Sequence, residues 1–314
     1  MNDDAVREAV YGSLTAEFAT AASGRPATVP LTPFYDRARE VIVVTAAPAF
    51  AGKAERAAAE PRVSLLLHGD AGPASDESGS SSDRRRSEGG RLHVTGRATV
   101  RDANLTANAA IVERLLRDEP PTPKRAAMTA ATDFLNTRLG LLLLDWYGLR
   151  ILIEIEPTAI ERTAGSGDGA TIPAWPDAGT SASEAAIYDR VVATVVQGGW
   201  PRSWSLSTPT IRDGRLRLTP PPDVSPADDQ PACVLCHWHD DDLSALEQRL
   251  VRGRCRLDDD DAWFDPASSF HLRNRTPLDR LRFVVDGKRR TRAYFADRAE
   301  TYSPWPGLRT LAGW

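Results

Sequence analysis

Lysine is nearly absent from this chain. Of 39 basic residues only Lys53, Lys124 and Lys288 are lysines, so arginine carries the positive charge and each lysine calls for a reason. Cysteine is scarce too: 3 in 314 residues exclude a disulfide framework. No run approaches the roughly 20 apolar residues of a membrane span. The longest, Leu139 to Leu144, reads as a core segment. The opening residues, MNDDAVREAV, are acidic and lack the apolar centre of a signal peptide, so the expectation is a cytoplasmic protein with no membrane partner. A formal net charge of -4 gives no footing for nucleic acid. Catalytic signatures are missing as well: there is no triad, nucleophile elbow, Walker loop or dinucleotide G-x-G-x-x-G.

What the sequence does have is an internal repeat, the feature that decides architecture before any other. Ala9-Val10-Tyr11 opens a helical stretch ending at Ser23-Gly24-Arg25-Pro26, and Ala186-Ile187-Tyr188 opens another ending at Gly198-Gly199-Trp200-Pro201. Val29 to Pro48 parallels Trp204 to Pro222; both read as strand, turn, strand, then Thr45 or Thr219. PRVSLLLHGD from Pro61 parallels PACVLCHWHD from Pro231, VTGRATV from Val94 parallels VRGRCRL from Val251, and LRILIEI from Leu149 parallels LRFVVDG from Leu281. The order of the matches, not any one of them, carries the inference.

Within the first copy, Val10, Leu14 and Phe18 recur at helical spacing and predict one amphipathic helix. Strands are expected at 61–68, 92–101 and from Arg150 to Glu156, with a short helix from Lys53 to Ala59 and a longer one through Leu105, Ile111, Val112, Leu115 and Leu116. Many short strands separated by turn signals point to a barrel, whose closure removes exposed edges. Residues 70–90, rich in glycine and serine, have too few apolar side chains to offset ordering entropy and read as a disordered insertion. Residues 164–183 read as a linker, with Trp175 as an anchor. The domains are then 1–163, with that insertion, and 184–314.

Cys233-Val-Leu-Cys236-His237 matches the C-x-x-C-H string of covalent haem attachment. On a strand, however, Cys233, Leu235 and His237 point one way and Val234, Cys236 and Trp238 the other, so the thiols diverge and structural roles are expected. The acidic runs Asp240 to Asp242 and Asp258 to Asp261 lack the spacing of a calcium loop and read as solvated turns. Trp200, Trp204, Trp238 and Trp263 are expected mostly in packing.

Taken in order, Gly24-Arg25-Pro26, an alternating strand, the VIVVT strand, Lys53, Pro61-Arg62-Val63-Ser64-Leu65 and Val94-Thr95-Gly96-Arg97-Ala98-Thr99-Val100 form a string. It resembles the pyridoxamine 5'-phosphate oxidase-like, FMN-binding split-barrel family, over nearly all of 9–160 and more faintly over 186–295. The resemblance implies a mainly β fold with α: two tandem split β-barrels, packed as an intramolecular pseudo-dimer along a broad apolar interface, in a monomer. It also implies FMN, or the deazaflavin coenzyme on the same fold, acting on a small-molecule substrate in an oxidoreductase. A non-catalytic haem-binding or regulatory protein is the reading from another class. By this resemblance Lys53 and Thr45 would meet the phosphate. Pro30 to Phe34, with Pro30 and Thr32 foremost, and Val43 to Thr45, with Val44, become candidates for ribityl and ring contacts, and His68 could reach the cofactor from its strand end. A helix start beside a cation suits a phosphate on physical grounds alone, because unpaired backbone N–H groups add to the charge. The second copy has PPPDVSPADDQP at the matching loop, acidic and without a cation, and reads as a site that has been lost.

Overall fold

The computed structural model describes residues 3–68, 91–163, 188, 190–207, 209–241, 243–258, 261–274 and 276–298. The expected insertion at 70–90 and linker at 164–183, with Trp175, lie outside them. The first half runs α1 (Asp3–Gly12), β1 (Ala16–Thr20), β2 (Ala27–Leu31), β3 (Phe34–Asp36), β4 (Val41–Ala46), α2 (Gly52–Ala59), β5 (Arg62–Leu67), β6 (Arg91–Arg101), α3 (Leu105–Asp118), α4 (Pro123–Leu135), α5 (Arg138–Gly148) and β7 (Ile151–Thr163). The second runs β8 (Arg190–Gln197), β9 (Trp200–Ser205), β10 (Ile211–Arg212), β11 (Arg215–Leu218), β12 (Pro231–His239), β13 (Leu246–Asp258), β14 (Asp261–Asn274) and α6 (Pro277–Ala296).

The two antiparallel sheets have the same strand order. One is β2-β1-β5-β6-β7-β4-β3; the other, read in the same sense, is β9-β8-β12-β13-β14-β11-β10. The architecture is mainly β with α, two tandem split barrels facing one another as an intramolecular pseudo-dimer. Neither ladder closes on itself among the described residues: β2 and β3 end one sheet, β9 and β10 the other. Instead of closure, packing protects an edge, because β2 lies against β12 and β13, and β9 against β5 and β6, of the opposite half.

Glycine and proline mark the register of the repeat. Gly96 on β6 faces Pro157 on β7, and Gly253 on β13 faces Pro266 on β14; each ladder shifts register at that glycine. A Cβ on Gly96 would lie 2.6 Å from the carbonyl oxygen of Glu156, and one on Gly253 would strike that of Asp265, the equivalent residue. Proline has no N–H to offer the ladder, and the bulge is where that loss is tolerated.

This register corrects three expectations. Leu281 to Gly287 lies in α6, and the counterpart of β7 is β14, with Glu156-Pro157 matching Asp265-Pro266. Pro277 in the first turn and a capping box between Thr276 and Asp279 start a helix there. In the third match the offset moves by one residue: Val63 pairs with Gly96 and Ala232 with Gly253, so His68 corresponds to His237. Finally, the helix expected through Phe18 stops at Gly12, and residues 16–20 form a strand, as do 190–197 where a second helix was expected. Both strands are buried on their two faces, in a core and between the halves, so neither shows an alternating pattern.

The halves differ in what they add. The first inserts α3, α4 and α5 between β6 and β7, whereas only two residues separate β13 from β14. The Leu139–Leu144 run, expected in the core, lies on α5 at the periphery, with Leu139 56% and Leu142 67% exposed; α5 packs through Trp146 instead. The second half adds α6, which crosses to the first and packs on the 48–50 turn and α5. Nor is the interface simply apolar. Leu66, Val192 and Leu235 form one apolar patch and Ala27, Cys233 and Leu250 another, with Thr28, Thr194 and Ser203 and the Glu17, His68 and His237 group as its polar parts.

Candidate functional site

The three lysines have different surroundings. Lys124 is fully buried at the start of α4, 2.5 Å from the Glu119 carboxylate, and donates to the carbonyls of Val10 (2.6 Å) and Pro33 (3.0 Å). Lys288 on α6 donates to the Leu142 carbonyl (2.5 Å) and faces Asp145 (3.6 Å), which holds α6 to α5. Lys53 has no hydrogen bond or ion pair among the described residues. Its Nζ sits 5.6 Å from the Phe50 ring centroid, on the first turn of α2, whose N-terminus no side chain caps. Burial, and then the neighbouring Arg150 guanidinium, pull its pKa down to about 8.

Arg150 stands just before β7. Its Cζ lies 4.0 Å over the Tyr147 ring, and it too has no ion pair among the described residues. The acids that border this end of the molecule are engaged elsewhere: Asp145 with Lys288, and Glu55 with Arg298. Phe50, Trp146, Tyr147 and Phe283 form an aromatic cluster around the two cations, and Arg290 of α6 lies 5.8 Å from the Phe50 centroid.

The six residues singled out in the sequence are dispersed. Alternation along β4 puts Thr45 on the helix-covered face with Val43, while Ala46 pairs with Ile151, the residue after Arg150; Thr45 and Lys53 thus belong to the same end of the sheet. Val44 is fully buried in the barrel core, so its side chain offers a ligand nothing. Pro30 pairs with Glu17 and His68 ends β5; both belong to the interface between the halves. Thr32 is half-buried between β2 and β3.

Around Glu17 the interface holds a buried polar network. The His68 Nε2 and the His237 Nε2 (2.8 Å) approach its two oxygens, and Arg190 lies 3.7 Å away. Thr15 accepts from Arg190 (3.1 Å) and bonds His239 (3.0 Å). Burial alone would raise the Glu17 pKa, but the charges and hydrogen bonds of His68 and His237 outweigh it and hold the carboxyl well below its ordinary range. Burial pushes His68 the other way, below an ordinary histidine. His68 is therefore a partner of Glu17 and not a free group. Sequence reasoning passed over Glu17, Arg150 and Arg190, because an isolated charge inside an apolar run carries no periodic signal.

The cysteines diverge as expected of a strand. Cys233 packs between the halves with Ala27 and Leu250, and Cys236 packs in the second core. No group of three His, Cys, Asp or Glu side chains is arranged to hold a metal among the described residues. In the second copy Thr219 follows Leu218 as Thr45 follows Val44, yet no helix forms over 219–230. Two of its three acids are taken by arginines, Asp229 by Arg254 (2.7 Å) and Arg256 (2.5 Å) and Asp223 by Arg202, while Asp228 accepts from the Leu257 N–H (3.0 Å).

No family model and no curated protein matches this chain. Solved structures do. An FAD-binding protein from Mesorhizobium loti is 20% identical over 51% of this chain and 90% of its own, with a TM-score of 0.29. An F420 reductase is 18% identical over 50% of this chain and 96% of its own, at 0.28. A Listeria innocua protein provisionally assigned as a pyridoxamine 5'-phosphate oxidase is 14% identical over 52% of this chain and all of its own, at 0.30.

Proposed function

We propose that this chain binds a flavin-type cofactor, FMN in the first instance, and acts as an oxidoreductase on a small-molecule substrate, with the phosphate end held at Lys53 and Thr45. The observation that carries this reading is Lys53 itself: a half-buried cation at an uncapped helix start, near a second cation, Arg150, with no carboxylate paired to either among the described residues. Such an arrangement favours an anion. The aromatic side chains beside it suit a ligand with a flat ring. The flavin would supply the redox chemistry; the protein's part is to bind and orient it. The second copy has neither cation nor helix at the equivalent loop, so the reading is one cofactor per chain. Both halves of the interface belong to one polypeptide, and we read the protein as a monomer working in the cytoplasm. No helix among the described residues is long and apolar enough to cross a membrane.

Purified protein should be yellow, or take up FMN on titration. A charged hydrogen bond contributes about 1.5–3 kcal/mol, so Lys53→Ala should weaken FMN roughly ten- to a hundredfold. Arg217→Ala in the second copy should change nothing, since Arg217 is paired with Asp261. Equal flavin retention by wild type and Lys53→Ala after dialysis would remove Lys53 from the site. Wild type that takes up no flavin at high micromolar concentration would turn the reading towards a non-catalytic ligand-binding protein.

A further inference from the structure

Exposed apolar side chains are not scattered over this molecule. Of the eight large ones exposed among the described residues, six lie on α4, α5 and α6: Phe134, Leu139, Leu142, Leu278, Leu281 and Val285. Single exposed leucines are ordinary, but a gathering of this kind marks a contact surface. Leu278, Leu281 and Val285 are each more than half exposed. They share one stripe of α6 with Arg282, Arg289 and Arg292, linked by steps of three and four residues. The opposite side of α6 is the buried one: Gly287 lies against Trp146, and Thr291, Tyr294 and Phe295 are buried. Lys288 donates to the Leu142 carbonyl (2.5 Å), and the Trp146 and Phe283 ring centroids lie 5.3 Å apart, so the exposed leucines of α5 stand beside that stripe.

Charge on this face is as uneven as hydrophobicity. α6 holds six basic residues against two acidic ones, in a chain of formal net charge -4. Both acids are engaged: Asp279 in the capping box, with Arg273 3.5 Å away, and Asp286 with Arg289 (3.3 Å). Arg282 and Arg292 have no ion pair among the described residues. Neither α5 nor α6 belongs to the strand repeat; they are additions of the two halves, and the additions meet here.

We propose that α5 and α6 form a docking face for an anionic lipid surface, on which the chain lies without crossing. Leu139, Leu142, Leu278, Leu281 and Val285 enter the headgroup boundary, and the arginines of the α6 stripe meet the lipid phosphates and carboxylates. The stripe holds only leucine, valine and arginine. It offers no aromatic anchor and no uncharged hydrogen-bonding side chain, the groups that give a protein interface its specificity. Aliphatic side chains with surrounding positive charge suit a fluid interface that conforms to them. No helix among the described residues is long and apolar enough to cross a membrane, and lying at its surface needs none. The docking face stands against the expectation of no membrane partner and does not depend on the flavin reading.

The test uses the full chain and two vesicle preparations, phosphatidylcholine alone and phosphatidylcholine mixed equally with phosphatidylserine. Wild type should sediment with the mixed vesicles at low salt, be released by high salt, and ignore the neutral ones. Each basic residue near an anionic surface contributes about fivefold, so Arg282→Gln, Arg289→Gln and Arg292→Gln together should weaken binding about a hundredfold. Lysine at the same three positions should keep most of the affinity, because a lipid surface reads charge, whereas a protein partner that reads guanidinium geometry would lose its contacts. Leu281→Ser with Val285→Ser should weaken binding at least about tenfold. The chain's three cysteines are buried, so an environment-sensitive dye can be placed on Val285→Cys; it should respond to mixed vesicles and not to neutral ones. Wild type that leaves mixed vesicles in solution at low salt, or binding that survives both the glutamine and the serine variants, would overturn the proposal. Retention of wild type by a helical peptide of glutamate and leucine, without vesicle binding, would overturn it in favour of an acidic protein partner. Concentration-dependent dimers that Leu281→Ser with Val285→Ser abolishes, again without vesicle binding, would overturn it in favour of a second copy of the chain.

Discussion

His68 and His237 are equivalent residues of the two halves, and both reach the same carboxylate. Glu17 lies between them near the pseudo-two-fold axis, while the position equivalent to Glu17 in the second half is Val192. A strictly symmetric pair would place two carboxylates, or two valines, at this junction. One carboxylate serves both histidine rings as acceptor and lies 3.7 Å from the Arg190 guanidinium.

Glu17→Gln should therefore destabilise the protein, by about 3 kcal/mol, since it strands buried histidines that had a charged acceptor. The pH dependence has a definite sign. The folded-state pKa of Glu17 lies below its ordinary 4.5, so its contribution is complete above that pH and fades as pH falls through the folded value. The gap in urea midpoint between wild type and Glu17→Gln should be wide at pH 7 and narrow below pH 4.5. A gap that stays constant would mean that shape, and not charge, sets the cost.

His93 should be a source of acid lability. It is 2% exposed, its Nε2 accepts from the Ser203 N–H at 3.4 Å, and burial, helped by Arg202, lowers its pKa to about 4. The unfolded chain binds a proton near pH 6.5 that the folded chain refuses, so stability is present above that pH and is lost as pH falls towards 4. The loss amounts to at most about 3 kcal/mol. His93→Leu should flatten the decline in stability between pH 6.5 and 4; an unchanged slope would place the lability elsewhere.

Lys124→Met tests a buried ion pair. Removing the ammonium leaves Glu119 buried and the Val10 and Pro33 carbonyls without a donor, at a cost of about 3–5 kcal/mol. Adding Glu119→Gln should recover part of that, because the uncompensated charge is gone. If the double variant were no more stable than the single one in chemical denaturation, the pair would not be coupled as its geometry indicates.

Gly253→Ala should cost more than an ordinary strand substitution, because its Cβ would strike the Asp265 carbonyl within the β13–β14 bulge. We expect a loss of about 1–3 kcal/mol, with Gly96→Ala behaving alike. Thermal unfolding of both variants checks this. Wild-type stability in either would show that the bulge relaxes at little cost.

The core β-strand repeat was legible where a strand carried a local marker. Thr45 and Thr219 mark the ends of equivalent strands, and Gly96 and Gly253 mark equivalent bulges; their order predicted two copies of one fold. The helix reading held as far as Gly12 and failed over 16–20 and 190–197, because β1 and β8 are buried on both faces, which erases the alternation that identifies a strand. The fifth match failed for a different reason. Leu281 to Gly287 resembles a strand in composition, but Pro277 and the Thr276–Asp279 capping box commit it to a helix.

By itself the sequence determined the number of copies, the mainly β class, the scarcity of lysine and the loss of the cation from the second loop. These depend on residue identity and local spacing. Tertiary structure decided which lysine is left without an ion pair among the described residues, and that His68 and His237 meet at Glu17. Those facts depend on pairings between residues about 50 to 220 positions apart, which register and sheet packing create and no local pattern encodes.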